Sequence, residues 1–171
     1  AGHRHGVASL EWVTALEEID GALARRVPPG VGVVVTSDHG MVDVPAQRQI
    51  VLDAEHLQGV HAIGGEPRML HVYLDDEADV DDAAARWARD LDGLADVGTR
   101  GQAIDAGFFG PAVTDDAASR IGDLLVVARG NGAVYDGTAP DQRNRGMIGQ
   151  HGGITPAARQ APLIRLGAFV R

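Results

Sequence analysis

The run Val31-Gly32-Val33-Val34-Val35 closes with Thr36-Ser37 and then sets a carboxylate and an imidazole side by side, Asp38-His39, before Gly40. A short, valine-rich run opened by Pro28-Pro29-Gly30 predicts a strand buried on both faces. In an open α/β sheet the ligand crevice lies beyond the carboxyl ends of such strands, so Asp38 and His39 are expected at that edge. Gly40 lets the backbone turn sharply behind them. A carboxylate beside a neutral imidazole is a donor pair suited to zinc or a similar ion. For this tripeptide taken alone, the competing reading is an ordinary turn.

Helical and strand patterns alternate around this stretch. Ser9 is placed to cap a helix running to about Arg26, with Leu10, Val13, Leu16, Ile19 and Leu23 at three- and four-residue steps. Glu11 falls in its first turn and Arg25 and Arg26 in its last, where the helix dipole favours them. Strands are expected at residues 49–52, 68–74, 124–128, 133–135 and 161–166. A second helix is expected over 81–95, behind an acidic stretch that suits a helix N-terminus. Residues 98–111 read as irregular, Gly130-Asn131-Gly132 as a turn, and Thr155-Pro156 as a helix start. The predicted class is α/β: a mostly parallel sheet flanked by helices across residues 1–171, with a small α+β insertion at about 45–110.

Composition removes several function classes. A net charge of -9 argues against a nucleic-acid surface, which needs a basic patch. It does not exclude anionic substrates, because a bound cation can supply local positive charge. There is no cysteine, hence no disulfide framework and no thiolate site; any metal must be held by His, Asp or Glu. No apolar run approaches the length of a membrane span. An acidic, cysteine-free chain suits either cytoplasm or export. Ala1 stands first, followed at once by Gly2-His3-Arg4-His5-Gly6, which reads like the inside of a site. The chain is therefore expected to be a piece of a longer protein, with a strand preceding its first helix.

The dipeptide His-Gly occurs three times, at His5-Gly6, His39-Gly40 and His151-Gly152, among only seven histidines. Glycine after histidine leaves room for backbone to fold tightly around a ligand. Three stretches carry a resemblance: Gly2-His3-Arg4-His5-Gly6, Thr36-Ser37-Asp38-His39-Gly40-Met41, and Gly149-Gln150-His151-Gly152-Gly153 with Thr155-Pro156. In order and spacing they resemble the C-terminal part of the type I phosphodiesterase/nucleotide pyrophosphatase family of the alkaline phosphatase superfamily.

The resemblance implies an alkaline phosphatase-like fold and two divalent metal ions, usually zinc. His3 and His151 would bind one ion, Asp38 and His39 the other. It implies hydrolysis of phosphodiester or pyrophosphate bonds in a small-molecule phosphate ester or nucleotide. The family's hydroxyl nucleophile and two further Asp ligands precede these motifs, so the chain alone is expected to be incomplete as a catalyst. His5 is expected to neighbour the site, and His56, His61 and His71 to be structural or surface residues. Thr36, Ser37, Ser9 and Thr155 suit turn and capping roles, and Asp123 the closing of a turn. Two alternatives stand beside this reading. One is another hydrolase of the superfamily, acting on phosphomonoesters, sulfate esters or phosphonoacetate; the other is a catalytically inactive metal-binding domain.

Overall fold

The computed structural model describes residues 1–24 and 27–170. It opens with a single helical turn, α1 (Gly2–His5), and a longer helix, α2 (Leu10–Leu23). The Ser9 hydroxyl accepts the Trp12 amide at 3.1 Å, satisfying one of the free N–H groups that every helix start exposes. Arg25 and Arg26, expected in the last turn, lie outside the described residues. The valine run follows as β1 (Gly32–Thr36), then β2 (Val42–Asp43) and β3 (Gln49–Leu52). A hairpin of β4 (Val60–Glu66) and β5 (Met69–Leu74) leads to α3 (Val80–Asp90) and β6 (Ala95–Thr99). Two short helices, α4 (Arg100–Asp105) and α5 (Asp115–Ala118), precede β7 (Leu124–Ala128) and β8 (Ala133–Asp136). Last come β9 (Gly149–Gln150), α6 (Pro156–Arg159) and β10 (Leu163–Gly167).

The main core belongs to one sheet, ordered β4-β5-β7-β6 with every pair antiparallel. All five residues of β7 are buried, because β5 and β6 flank it and α3 packs against the sheet. Trp87 and Leu91 join Val72, Leu124 and Val126 in that core, each buried apolar side chain contributing about 1.5–3 kcal/mol. Asp79 starts α3 by accepting the amides of Asp81 and Asp82 at 2.9 and 3.0 Å. Asp123 accepts the Leu74 amide at 2.9 Å and the Arg100 guanidinium at 2.7 Å. It thereby ties the end of β5 to α4, just before β7 begins.

The α/β class is as expected, but the mostly parallel arrangement is not what the described strands form. Only β3 and β8 pair in parallel; β1 pairs with β10 and β2 with β9 antiparallel. Nor is β1 buried on both faces, since its partner among the described strands is β10 and Val34 is 47% exposed. A valine run records a preference for a pleated, apolar setting and not the direction of its neighbour. The second helix stops at Asp90, short of the expected residue 95, because Ala95 already opens β6. Residues 133–135 do form a strand, β8, parallel to β3.

Candidate metal centre

The site is assembled where β2 and β9 run side by side. Their register places Val42 opposite Gln150 and Asp43 opposite Gly149, so the segments carrying His39 and His151 are brought together from 112 positions apart. Helix α1 adds His3: its carbonyl accepts the Ile148 amide at 2.8 Å, and its ring Nδ1 meets the Gly149 carbonyl at 2.8 Å. Asp43 fastens the end of α1, its carboxylate accepting the Val7 amide at 2.8 Å. On the other side the Gly40 amide donates to the Ala158 carbonyl at 2.9 Å. A Cβ at Gly40 would lie 2.0 Å from the Ala157 carbonyl oxygen, so only glycine lets the His39 segment dock this closely on α6.

His3, His39 and His151 each offer a ring nitrogen such that the three ligand atoms lie within 4.8 Å of one another. The His39 and His151 rings are stacked with centroids 3.7 Å apart, and His3 stands edge-on to His151 at 5.2 Å and to His39 at 6.1 Å. The hydrogen bonds define the tautomers. A carbonyl can only accept, so Nδ1 of His3 donates to Gly149 and Nδ1 of His39 donates to Gly40, at 2.8 and 2.7 Å. In the neutral form of each ring this leaves the Nε2 lone pair for a cation, the arrangement common to metal-bound histidines. Burial holds the His151 imidazole below its ordinary pKa; His39 and His3 push the same way, against the opposing pull of Glu66 and Asp38. That shift favours the neutral ring, the form a ligand must take.

Three of the four residues expected to bind metal are thus gathered in one cluster. Asp38 stands at its rim, with Oδ1 3.1 Å from the His39 amide and 3.6 Å from His39 Nε2, and its side chain is 88% exposed. His5 is adjacent but engages Glu11 at 3.6 Å. His56 bonds Asp53 at 2.7 Å, and His71 accepts the Gly122 amide at 3.2 Å; both serve the scaffold.

Sequence reasoning missed Glu66, whose carboxylate lies 3.8 Å from His151 Nε2, and the buried Arg68 beneath it. Gly64-Gly65 before and Pro67 after do signal a tight turn, but nothing local states which histidine that turn meets. A cleft of about 460 Å³ lies elsewhere, lined by residues including Arg48, Leu94 and Arg129, apart from the three partly buried histidines.

The family model for type I phosphodiesterase/nucleotide pyrophosphatase matches residues 1–154. None of the curated proteins matches the chain in sequence. Among solved structures, murine ectonucleotide pyrophosphatase/phosphodiesterase 5 is similar with a TM-score of 0.72 at 19% identity, over 97% of this chain and 44% of its own. The human protein of that name gives 0.72 at 17% identity, over 98% of this chain and 44% of its own. An inactive variant of the murine protein was solved in complex with AMP. Phosphonoacetate hydrolase from Sinorhizobium meliloti 1021, solved with phosphonoformate, gives 0.59 at 21% identity, over 95% of this chain and 42% of its own. The chain therefore spans less than half the length of these relatives, and the likeness establishes an alkaline phosphatase-like fold.

Proposed function

This chain belongs to the type I phosphodiesterase/nucleotide pyrophosphatase family, and from that membership we propose that it carries most of the metal site of a hydrolase. The bonds cleaved are phosphodiester or pyrophosphate bonds in small molecules such as nucleotides. The observation that supports this reading is the convergence of His3, His39 and His151 within ligand distance of one another, from the three motifs that carry the family resemblance.

The donor set fits a divalent cation. Imidazoles whose Nε2 atoms are left unengaged by the backbone, an adjacent carboxylate and no thiolate suit zinc. In this proposal His3 and His151 hold one ion, and Asp38 and His39 a second. When bound, such ions polarise phosphoryl oxygens and neutralise their charge, the chief requirement of phosphoryl transfer. The chain's own groups keep the ligands in place: the Gly149 and Gly40 carbonyls fix two rings, and Asp43 fixes the helical turn bearing the first. Gln150, 2% exposed, holds its strand to the preceding loop through the Asn144 and Met147 carbonyls at 2.9 and 3.3 Å. The hydroxyl nucleophile belongs, in this reading, to the part of the family's length outside these 171 residues.

The test is hydrolysis of bis(4-nitrophenyl) phosphate in zinc by the chain joined to the rest of its parent protein, with 4-nitrophenyl phosphate and phosphonoacetate as competing substrates. The diester is expected to be preferred, and His39→Ala or His151→Ala to lower kcat/KM at least about a hundredfold, a scale set by loss of a principal charge-stabilising group. Retention of most activity in both variants would contradict the assignment. Preference for phosphonoacetate would move the substrate to a carbon–phosphorus bond.

A further inference from the structure

Glu66 stands outside the three motifs, yet the fold delivers it to the histidines. It is the last residue of β4; Pro67 and Arg68 make the turn, and Met69, opposite Glu66 in the register, opens β5. The turn is anchored from below. Arg68 is fully buried, and its guanidinium donates to the Gly132 carbonyl at 2.6 Å and the Gly130 carbonyl at 2.9 Å. The Pro67 carbonyl accepts the Val134 amide at 2.6 Å, and the Arg68 carbonyl the Ala128 amide at 3.0 Å. Above the turn lie the two glycines that follow His151. Gly152 has φ +92°, and a Cβ there would lie 2.6 Å from the Glu66 Cβ; a Cβ at Gly153 would lie 2.9 Å from Arg68 Nε. The glycine pair is the gap through which the hairpin reaches the histidines.

We infer that Glu66 is a carboxylate ligand of the cation held by His151, supplied by the β4–β5 turn; this rests on the metal-site reading above. Its Oε2 lies 3.8 Å from His151 Nε2. Two donors that each sit about 2.0–2.1 Å from one tetrahedral ion are roughly 3.4 Å apart, so a small side-chain rotation brings the carboxylate into the shell. Asp38 bears the same relation to His39, at 3.6 Å. The two stacked histidines thus each face one carboxylate, and Glu66 stands to the His151 ion as Asp38 stands to the other. The β4–β5 backbone that presents Glu66 is set by the buried Arg68 and its carbonyl partners, so the ligand is placed before any ion arrives.

The experiment is calorimetric titration of the 171-residue chain with zinc alone, for the parent and for Glu66→Gln, His151→Ala and the distant control Glu55→Gln. Thermal unfolding is followed with zinc and with a chelator. The expected result is loss of binding in His151→Ala, at least about tenfold weaker binding in Glu66→Gln, and no change in Glu55→Gln. Glu66→Gln should match the parent's Tm in chelator and show a smaller zinc-induced rise. Parent-like zinc affinity in Glu66→Gln, with binding lost in His151→Ala, overturns the role of Glu66 and leaves the histidine site standing. Equal loss of Tm with and without zinc overturns it too, in favour of a purely structural role. Zinc binding that is absent from the parent, or insensitive to His151, overturns both readings.

Discussion

Arg68 carries its charge into the interior and meets carbonyl oxygens there. Burial pushes its pKa below the ordinary arginine value, and the fork of the guanidinium serves Gly130 and Gly132 together. Removing it would strip the buried Gly132 carbonyl and the partly buried Gly130 carbonyl of this partner. Arg68→Met is expected to cost roughly 2–4 kcal/mol in urea unfolding, from the loss of charge-assisted hydrogen bonds. Arg68→Lys should recover less than half of that, because an ammonium cannot fork; a Met variant within about 0.5 kcal/mol of the parent would contradict this. His71 offers a pH-dependent counterpart. Burial lowers its pKa from the ordinary 6.5, and its Nδ1 must stay unprotonated to accept the Gly122 amide. The unfolded chain takes up this proton first. The stability His71 contributes is therefore complete above pH 6.5 and is lost as pH falls through the depressed native value. His71→Asn preserves the acceptor and does not titrate, so its stability should fall less than the parent's between pH 7.5 and 5. Equal acid slopes would contradict this role.

The elements differ in how plainly the sequence announces them. In the sheet ordered β4-β5-β7-β6, the central strands β5 and β7 were legible from Leu70, Val72, Leu74 and the run 124–128, because both neighbours and α3 demand apolar side chains. The edge strands β4 and β6 were not. Val60-His61-Ala62-Ile63-Gly64-Gly65-Glu66 and Ala95-Asp96-Val97-Gly98-Thr99 carry the polar residues and glycines that edges tolerate. The same physics orders their stability. Amides of β7, buried throughout, should be the slowest to exchange with deuterium, and those of β1 and β10 among the fastest, since Val34, Leu163 and Ile164 are 47, 61 and 47% exposed. Comparable protection in both pairs would contradict that division. For the site, each His-Gly pair was visible, since glycine is what close approach requires at Gly40 and Gly152. The meeting of His151 with Glu66 was not, because it depends on two hairpin residues and a glycine gap separated by 85 positions.

Across the whole molecule, the main apolar core belongs to one four-stranded sheet, and the cluster of His3, His39 and His151 lies where the two-stranded pair of β2 and β9 meets α1. Leu10, Leu16, Ile19, Val34, Leu163 and Phe169 are all well exposed on or beside α2, β1 and β10. Among the described residues no helix is long and apolar enough to cross a membrane. The most direct test of the central claim is zinc per chain by elemental analysis after zinc incubation and desalting, for the parent, His39→Ala and His151→Ala. The account predicts zinc retained by the parent and lost in both variants. A parent that retains none, or variants that retain as much, would contradict it.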